Sequence, residues 1–395
     1  MRRFAFLVLP LFSLAWAEPA SAQTTNVTPD PLHLQRKASV PKTRPWPIDW
    51  FQPQEIVKGG AARGAALAAS PRTIDAAALR AAADYARSHE TQALLVWRDG
   101  HLEFAEFAPG IKPSDRLNTY YMHFPVLTLL YGIAQKEGRI RSIDDPVGRY
   151  ITEWANDARG KITLRQLLNM SAGLEMYFDD PDPTTKASRM FLSADTTSPA
   201  LEYQRVEEPG RTFSYNYLIP ELLGIALQRA LGTTRYADYL SSRLWKPLGN
   251  ADAAVWLDRP GGKPHFNSAL FATAEDWLNV GKLILDEGKV GRRQVVPASW
   301  IATMKTPSAT NPNYGMMWLG KPYVSERRYS PDPRYRYKVS ASAPYLADDL
   351  VYLDGYGGQR VYVVPSKKLV IVRIGLTRRD WDDAALPNAI LRGTK

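Results

Sequence analysis

The sequence predicts an α+β chain, in which a mixed sheet of N- and C-terminal strands packs with helices beside an all-helical lobe. Three observations carry that prediction. An alanine-rich helical stretch and a hairpin pattern come early, at 73–89 and 92–107. The middle of the chain, about 120–290, reads as helices and loops. Three strand-like runs then follow at 349–353, 359–364 and 369–375. Sheet-forming segments on either side of a helical stretch imply that the last strands pair with the early hairpin.

The first residues read as an export signal. Arg2 and Arg3 give a positive start, 4–14 is an apolar run broken by Pro10 and Ser13, and Ala20-Ser21-Ala22 is a small-x-small cleavage site. Residues 1–22 are therefore expected to leave after Ala22, giving a periplasmic or secreted product. The apolar run is shorter than the ~20 residues of a spanning helix, and no later stretch reaches that length. No transmembrane segment is expected in the mature chain. The sequence has no cysteine, which excludes disulfides, thiolate nucleophiles and cysteine metal sites. Its stability must come from a core, and 45% hydrophobic residues can supply one. The net charge of +10 is scattered rather than gathered into a stripe. With no recognisable module, nucleic acid is not expected as a partner.

Residues 23–70 are rich in Pro and Thr and read as an extended arm followed by loop, with Trp46, Trp50 and Phe51 pinning it to the body. The body itself is expected over 71–395. Thr73 or Asp75 caps the alanine-rich helix. Asp99-Gly100, between the strand 93–97 and the alternating run 101–107, is a type I′ turn signal. The Tyr-, Arg- and Pro-rich stretch 323–338 reads as a surface insertion. No internal repeat is present.

The helical middle carries landmarks in a fixed order. Gly132-Ile133-Ala134 is followed by Asp144-Asp145-Pro146-Val147, then Ile162-Thr163-Leu164-Arg165-Gln166-Leu167-Leu168 with Ser171-Ala172-Gly173-Leu174. Next come Glu208-Pro209-Gly210, Tyr215, Leu222-Leu223-Gly224, Lys246-Pro247-Leu248-Gly249, Ala272-Thr273-Ala274-Glu275-Asp276 and Gly355-Tyr356-Gly357-Gly358-Gln359. In order and spacing this series resembles the serine β-lactamase and penicillin-binding-protein superfamily, over roughly residues 90–390. The nearest branch is that of class C-like esterases, D-aminopeptidases and 6-aminohexanoate-dimer hydrolases. The resemblance implies an active site between the sheet and the helical lobe.

It also implies three motifs: S-x-x-K, Y-x-N, and K-T-G or H-x-G. A lysine three residues after the serine stands beside it and takes its proton. Counting back from Gly132, the first motif falls on Tyr121-Met122-His123-Phe124, so Tyr121 replaces the serine and Phe124 the lysine. The one S-x-x-K in the chain, Ser39 to Lys42, lies in the arm with Pro41 inside it and reads as chance. The second motif keeps Tyr215, but Tyr217 stands where asparagine is usual. The third reads Tyr356-Gly357-Gly358, whose glycines would admit a ligand close to the edge strand. Gln359 matches the residue whose amide serves the oxyanion hole.

Tyr121 and Tyr215 are the candidate catalytic residues. Phe124, Tyr217, Tyr356, Gly357, Gly358, Gln359 and His123 are the candidate ligand contacts. Such a cleft suits a small aromatic or apolar molecule held by a few hydrogen bonds. His123 is either a replacement acid–base group or a histidine bonded behind the cleft. His265 lies in a loop that resembles loops near the family's site. Ser171 and Ser214 read as loop or cap residues. No metal spacing such as H-x-x-x-H occurs, and no cofactor is expected. Three readings stay open: a non-acylating binding protein or silent relative, an acid–base enzyme using Tyr121 and Tyr215, and an ester or amide hydrolase with a displaced nucleophile.

Overall fold

The computed structural model describes residues 28–42, 44–60, 73–178 and 182–394; the expected export signal at 1–22 lies outside them. The segment expected as an extended arm instead forms helix α1 (Pro31–Ala38) and strand β1 (Gln54–Val57). Asp30 caps α1 by accepting the His33 N–H, and Pro31 opens it, where its missing N–H costs nothing. Trp46 and Phe51 are buried against Trp256 and Phe271, so the aromatic cluster pins this segment as expected.

Helix α2 (Ala76–Ser88) leads into the hairpin β2 (Thr91–Arg98) and β3 (His101–Phe107). Asp99 and Gly100 hold φ of 46° and 92°, the left-handed pair that a type I′ turn requires. A short strand β4 (Leu117–Asn118) precedes α3 (His123–Lys136), which is buried over nearly its whole length. The helical lobe continues with α4 (Leu164–Leu168), α5 (Lys186–Leu192), α6 (Thr197–Leu201), α7 (Leu218–Leu231) and α8 (Tyr236–Leu240).

The Ile162-Thr163-Leu164-Arg165-Gln166 landmark is a capping box. Thr163 accepts from the Gln166 N–H, and the Gln166 side chain accepts from the Thr163 N–H. Strands β5 (Ala253–Trp256) and β6 (Leu270–Ala272) join β1 and β4 in a small antiparallel sheet ordered β1-β5-β6-β4. Helix α9 (Ala274–Leu285) opens on a second capping box, Thr273 with Asp276.

A two-strand ribbon, β7 (Lys289–Val290) and β8 (Arg293–Gln294), leads to α10 (Ala298–Met304) and β9 (Trp318–Leu319). A second ribbon pairs β10 (Glu326–Arg328) with β11 (Lys338–Ser340). Strands β12 (Val351–Gly355), β13 (Gln359–Val364) and β14 (Leu369–Gly375) precede the last helix, α11 (Ala385–Arg392). The main sheet runs β3-β2-β14-β13-β12-β9, so the last strands do pair with the early hairpin. Helices α2 and α11 pack together over one face, where Tyr85 and Trp381 meet the Arg373 side of β14. Helix α9 covers the other, with Gly281 so close that a Cβ there would lie 2.5 Å from Val370.

The stretch 323–338 is exposed over most of its length, as a surface segment is, but it is anchored inward. Arg327 and Tyr329 are buried, and Arg327 pairs with Asp354 and Asp383, which Arg360 also holds. Four charges neutralising one another let an arginine-rich segment enter the core.

Candidate functional site

Tyr121 stands just before α3, after a residue held in an unusual conformation. Tyr120 has φ of 50°, a left-handed backbone that costs a non-glycine residue on the order of 1–2 kcal/mol. Its surroundings fix it there. The Tyr120 N–H donates to Asn118 Oδ1 at 3.1 Å, and Asn118 Nδ2 donates to the Trp46 carbonyl at 3.1 Å. The Trp46 N–H in turn donates to Tyr120 Oη at 3.1 Å. The same clasp ties the N-terminal segment to the corner that precedes Tyr121.

Beyond that corner, the Tyr121 ring stacks on Tyr217, with centroids 4.1 Å apart and planes 18° from parallel. Tyr217 also meets Tyr215 and Tyr177 edge-on and bonds the Tyr335 hydroxyl through its own. Phe124 points inward, 1% exposed, with Tyr215 at right angles to it, 6.3 Å away. Tyr356, half-buried, faces Tyr121 edge-on at 6.2 Å. Five sequence-chosen residues thus meet in one cluster: Tyr121, Phe124, Tyr215, Tyr217 and Tyr356. Burial holds the Tyr215 and Tyr217 hydroxyls well above the ordinary tyrosine range, so both stay protonated.

Beside the cluster lies a cavity of about 370 Å³. Tyr121 and Tyr217 form one side, the N-terminal segment adds Val40, Trp46 and Phe51, and α5 adds Ser188 and Phe191. Asn267, Ser268 and Ala269 make a buried floor. Asn267 Oδ1 and Ser268 Oγ are buried without a hydrogen-bond partner. Under the floor, Glu221 accepts the Asn267 N–H at 3.0 Å, and burial raises its carboxyl to about 8. Lys37 and Arg44 are the cationic residues of the lining.

Several expected contacts fall elsewhere. His123 is not a ligand residue. Its Nδ1 bonds the Ser268 carbonyl at 3.0 Å and its Nε2 the Tyr236 hydroxyl at 2.7 Å. A carbonyl can only accept, so Nδ1 carries the proton and Nε2 receives one from Tyr236. Burial lowers its pKa to about 4 and keeps the ring neutral. His265 is also buried, stacked on Trp256 at 3.7 Å, and is not part of the lining.

Gly357 and Gly358 form the turn between β12 and β13, not an edge strand open to ligand. Their φ of 77° and 93° and their closeness to Thr377 and Trp381 explain the glycines. Gln359 is fully buried, and its side-chain amide clasps both backbone groups of Gly375. Ser39 ends α1 and donates to the Gln35 carbonyl. Ser214 bonds Met176 and Ser330. Sequence reasoning missed Tyr120, Tyr177, Phe191, Asn267 and Ser268 as lining, because none lies in a periodic pattern or a motif.

A family model described as Beta-lactamase matches residues 125–391, starting at the residue after Phe124. The 6-aminohexanoate-dimer hydrolase of Paenarthrobacter ureafaciens is 27% identical over 225 residues, covering 54% of this chain and 57% of that protein. The chain spans about half the length of the curated relatives it matches. Among solved structures, a Bacillus anthracis protein provisionally named a 6-aminohexanoate-dimer hydrolase superposes with a TM-score of 0.68 at 19% identity, covering 87% of this chain and 91% of that one. The class C beta lactamase of Rhodobacter sphaeroides gives 0.53 at 18% identity, covering 80% and 97%. A penicillin-binding protein homolog of Caulobacter crescentus gives 0.59 at 15%, covering 82% and 99%. At these identities the superpositions attest the fold.

Proposed function

The chain belongs to the Beta-lactamase family, and we propose that it is an exported member that has given up acylation and binds a small, flat or apolar molecule in the cavity beside Tyr121. One observation carries this reading. At the two positions that the family resemblance assigns to the serine and lysine stand two aromatic rings, Tyr121 stacked on Tyr217 and Phe124 buried against Tyr215. A phenol, protonated at neutral pH with an ordinary pKa near ~10, is a poor nucleophile. The aromatic lining and the unpartnered polar atoms of the floor support binding instead.

Acid–base chemistry by Tyr121 and Tyr215 has less support, because Tyr215 is absent from the lining and Tyr217 contacts both rings. A displaced nucleophile has one observation in its favour. Ser188 lines the cavity, and its Oγ lies 3.1 Å from His33 Nε2. His33 Nδ1, however, is buried without a partner. An orphaned N–H is the rarer defect, so the proton belongs on Nε2, facing Ser188, and the ring is then not its base.

Intact-mass spectrometry after incubation with a fluorophosphonate, p-nitrophenyl esters and β-lactams decides the matter. The folded protein is expected to carry no adduct. A stoichiometric adduct would end the non-acylating reading, and one mapped to Ser188 and lost in Ser188→Ala would establish the displaced nucleophile.

A further inference from the structure

Resting on the reading that this cavity binds a small ligand, we propose that the ligand is a phenol or other aromatic alcohol. Its hydroxyl docks between the side chains of Asn267 and Ser268 on the cavity floor, and its ring lies among the rings of the walls.

The floor carries the argument. Asn267 and Ser268 are 3% and 5% exposed, and both line the cavity. Asn267 Oδ1 and Ser268 Oγ are buried with no hydrogen-bond partner among the described residues. Buried polar atoms are almost always hydrogen-bonded, and an unpaired one is costly. The backbone of the same loop is fully engaged. The Asn267 N–H donates to Glu221 and the Ser268 carbonyl accepts from His123, each at 3.0 Å. One residue on, Ala269 holds φ of 63°, and its carbonyl accepts the Trp256 N–H at 3.2 Å. The loop is thus held in place while the two side-chain oxygens stay unengaged. With no protein bond to restrain them, the Ser268 hydroxyl turns about Cα–Cβ, and the Asn267 amide about Cβ–Cγ, toward the space their residues border.

The chemistry of this pair selects the ligand group. An amide oxygen only accepts, so Asn267 Oδ1 needs a donor. A serine hydroxyl donates as well as accepts. A ligand hydroxyl meets both demands: its hydrogen goes to Asn267 Oδ1 and its oxygen receives the Ser268 hydrogen. An ether, ester or ketone oxygen serves Ser268 but leaves Asn267 unpaired, and a methyl group leaves both. Water in the cavity can make the same two bonds, so a ligand that displaces it without replacing them loses affinity. Trp46, Phe191 and Tyr217 in the walls offer faces and edges to an aromatic ring.

The test is isothermal titration of the purified chain with 4-methoxyphenol, 1,4-dimethoxybenzene and 4-methylanisole. These probes share one ring and present a hydroxyl, an ether oxygen or a methyl group at one end. The hydroxyl probe should bind about tenfold more tightly than either of the others. Ser268→Ala should lower that preference to about threefold, and Asn267→Ala/Ser268→Ala to about twofold. Both variants keep the backbone hydrogen bonds of the loop and remove only side chains whose oxygens have no protein partner, so the affinity for 4-methylanisole should stay within about twofold of the native value. Equal binding of the three probes, or a hydroxyl preference unchanged in Ser268→Ala, would overturn the docking of a hydroxyl at the floor while leaving the binding reading in place. No binding of any probe at millimolar concentration would overturn both.

Discussion

Glu221 offers a test of how the cavity floor is held. It is 2% exposed on α7 and accepts the Asn267 N–H at 3.0 Å. Burial raises its pKa from 4.5 to about 8. Below about pH 4.5 the folded and unfolded chains both carry the proton, and the carboxyl imposes no penalty. Between pH 4.5 and 8 only the folded chain keeps it, so stability falls as pH rises, by about 1.4 kcal/mol per pH unit. Above pH 8 both states are ionised and the loss levels off near 5 kcal/mol.

Glu221→Gln keeps the shape and an oxygen for Asn267 but does not titrate. Urea unfolding of both proteins at pH 5, 6, 7 and 8 should show the variant's advantage growing by roughly 4 kcal/mol across the series. Parallel curves would refute the reasoning, because they would mean that the carboxyl is already ionised in the fold near its ordinary value.

Asn118→Ala removes the clasp between Trp46 and Tyr120, leaving two buried groups unpaired at a cost of about 2–4 kcal/mol; proteolysis within 28–60 should quicken well before global unfolding. His123→Ala strands the Ser268 carbonyl and the Tyr236 hydroxyl and should cost about 3 kcal/mol in urea unfolding, with a smaller effect on cavity binding than Tyr121→Ala. Arg327→Met leaves Asp354 and Asp383 short of one cation and should cost about 3–5 kcal/mol, whereas Lys368→Ala, breaking an exposed pair with Asp99, should cost under ~1 kcal/mol by thermal unfolding.

What the sequence made legible was local. Asp99-Gly100 announced its turn because two consecutive left-handed residues admit few side chains. The strands 359–364 and 369–375 stand where their β-branched runs place them. The run at 349–353 starts two residues later, at Val351, because Asp349 is occupied with the Ser366 N–H and hydroxyl. Helix α1 had a readable signal in Asp30-Pro31, cap and first residue, which the prolines farther along obscured. The small sheet β1-β5-β6-β4 had none: its strands are two to four residues long and pair residues such as Val57 and Ala253, far apart in the chain. The inward anchor of the 323–338 stretch was hidden for the same reason, since the aspartates that neutralise Arg327 are 27 and 56 residues away.

The cavity is assembled in the same non-local way, and Arg36 holds it together. Its side chain is buried and donates to four carbonyls: Leu192 and Ser193 at the end of α5, Gln52 before β1, and Leu257 after β5. Two of these places border the cavity, the end of α5 through Leu192 and the stretch before β1 through Phe51. An extended chain could not present them to one another, because each would leave a polar group unpaired on closing. Burial lowers the Arg36 pKa to about 10, still far enough above neutrality for the guanidinium to keep its charge. Tyr121 and the N-terminal segment therefore build one cavity together. Phe124 is packed against Tyr215, while Tyr121 supplies a ring for the cavity that the segment encloses. Replacing either aromatic residue alone would disturb that packing, and a serine at 121 with no lysine at 124 would lack the amine that takes its proton.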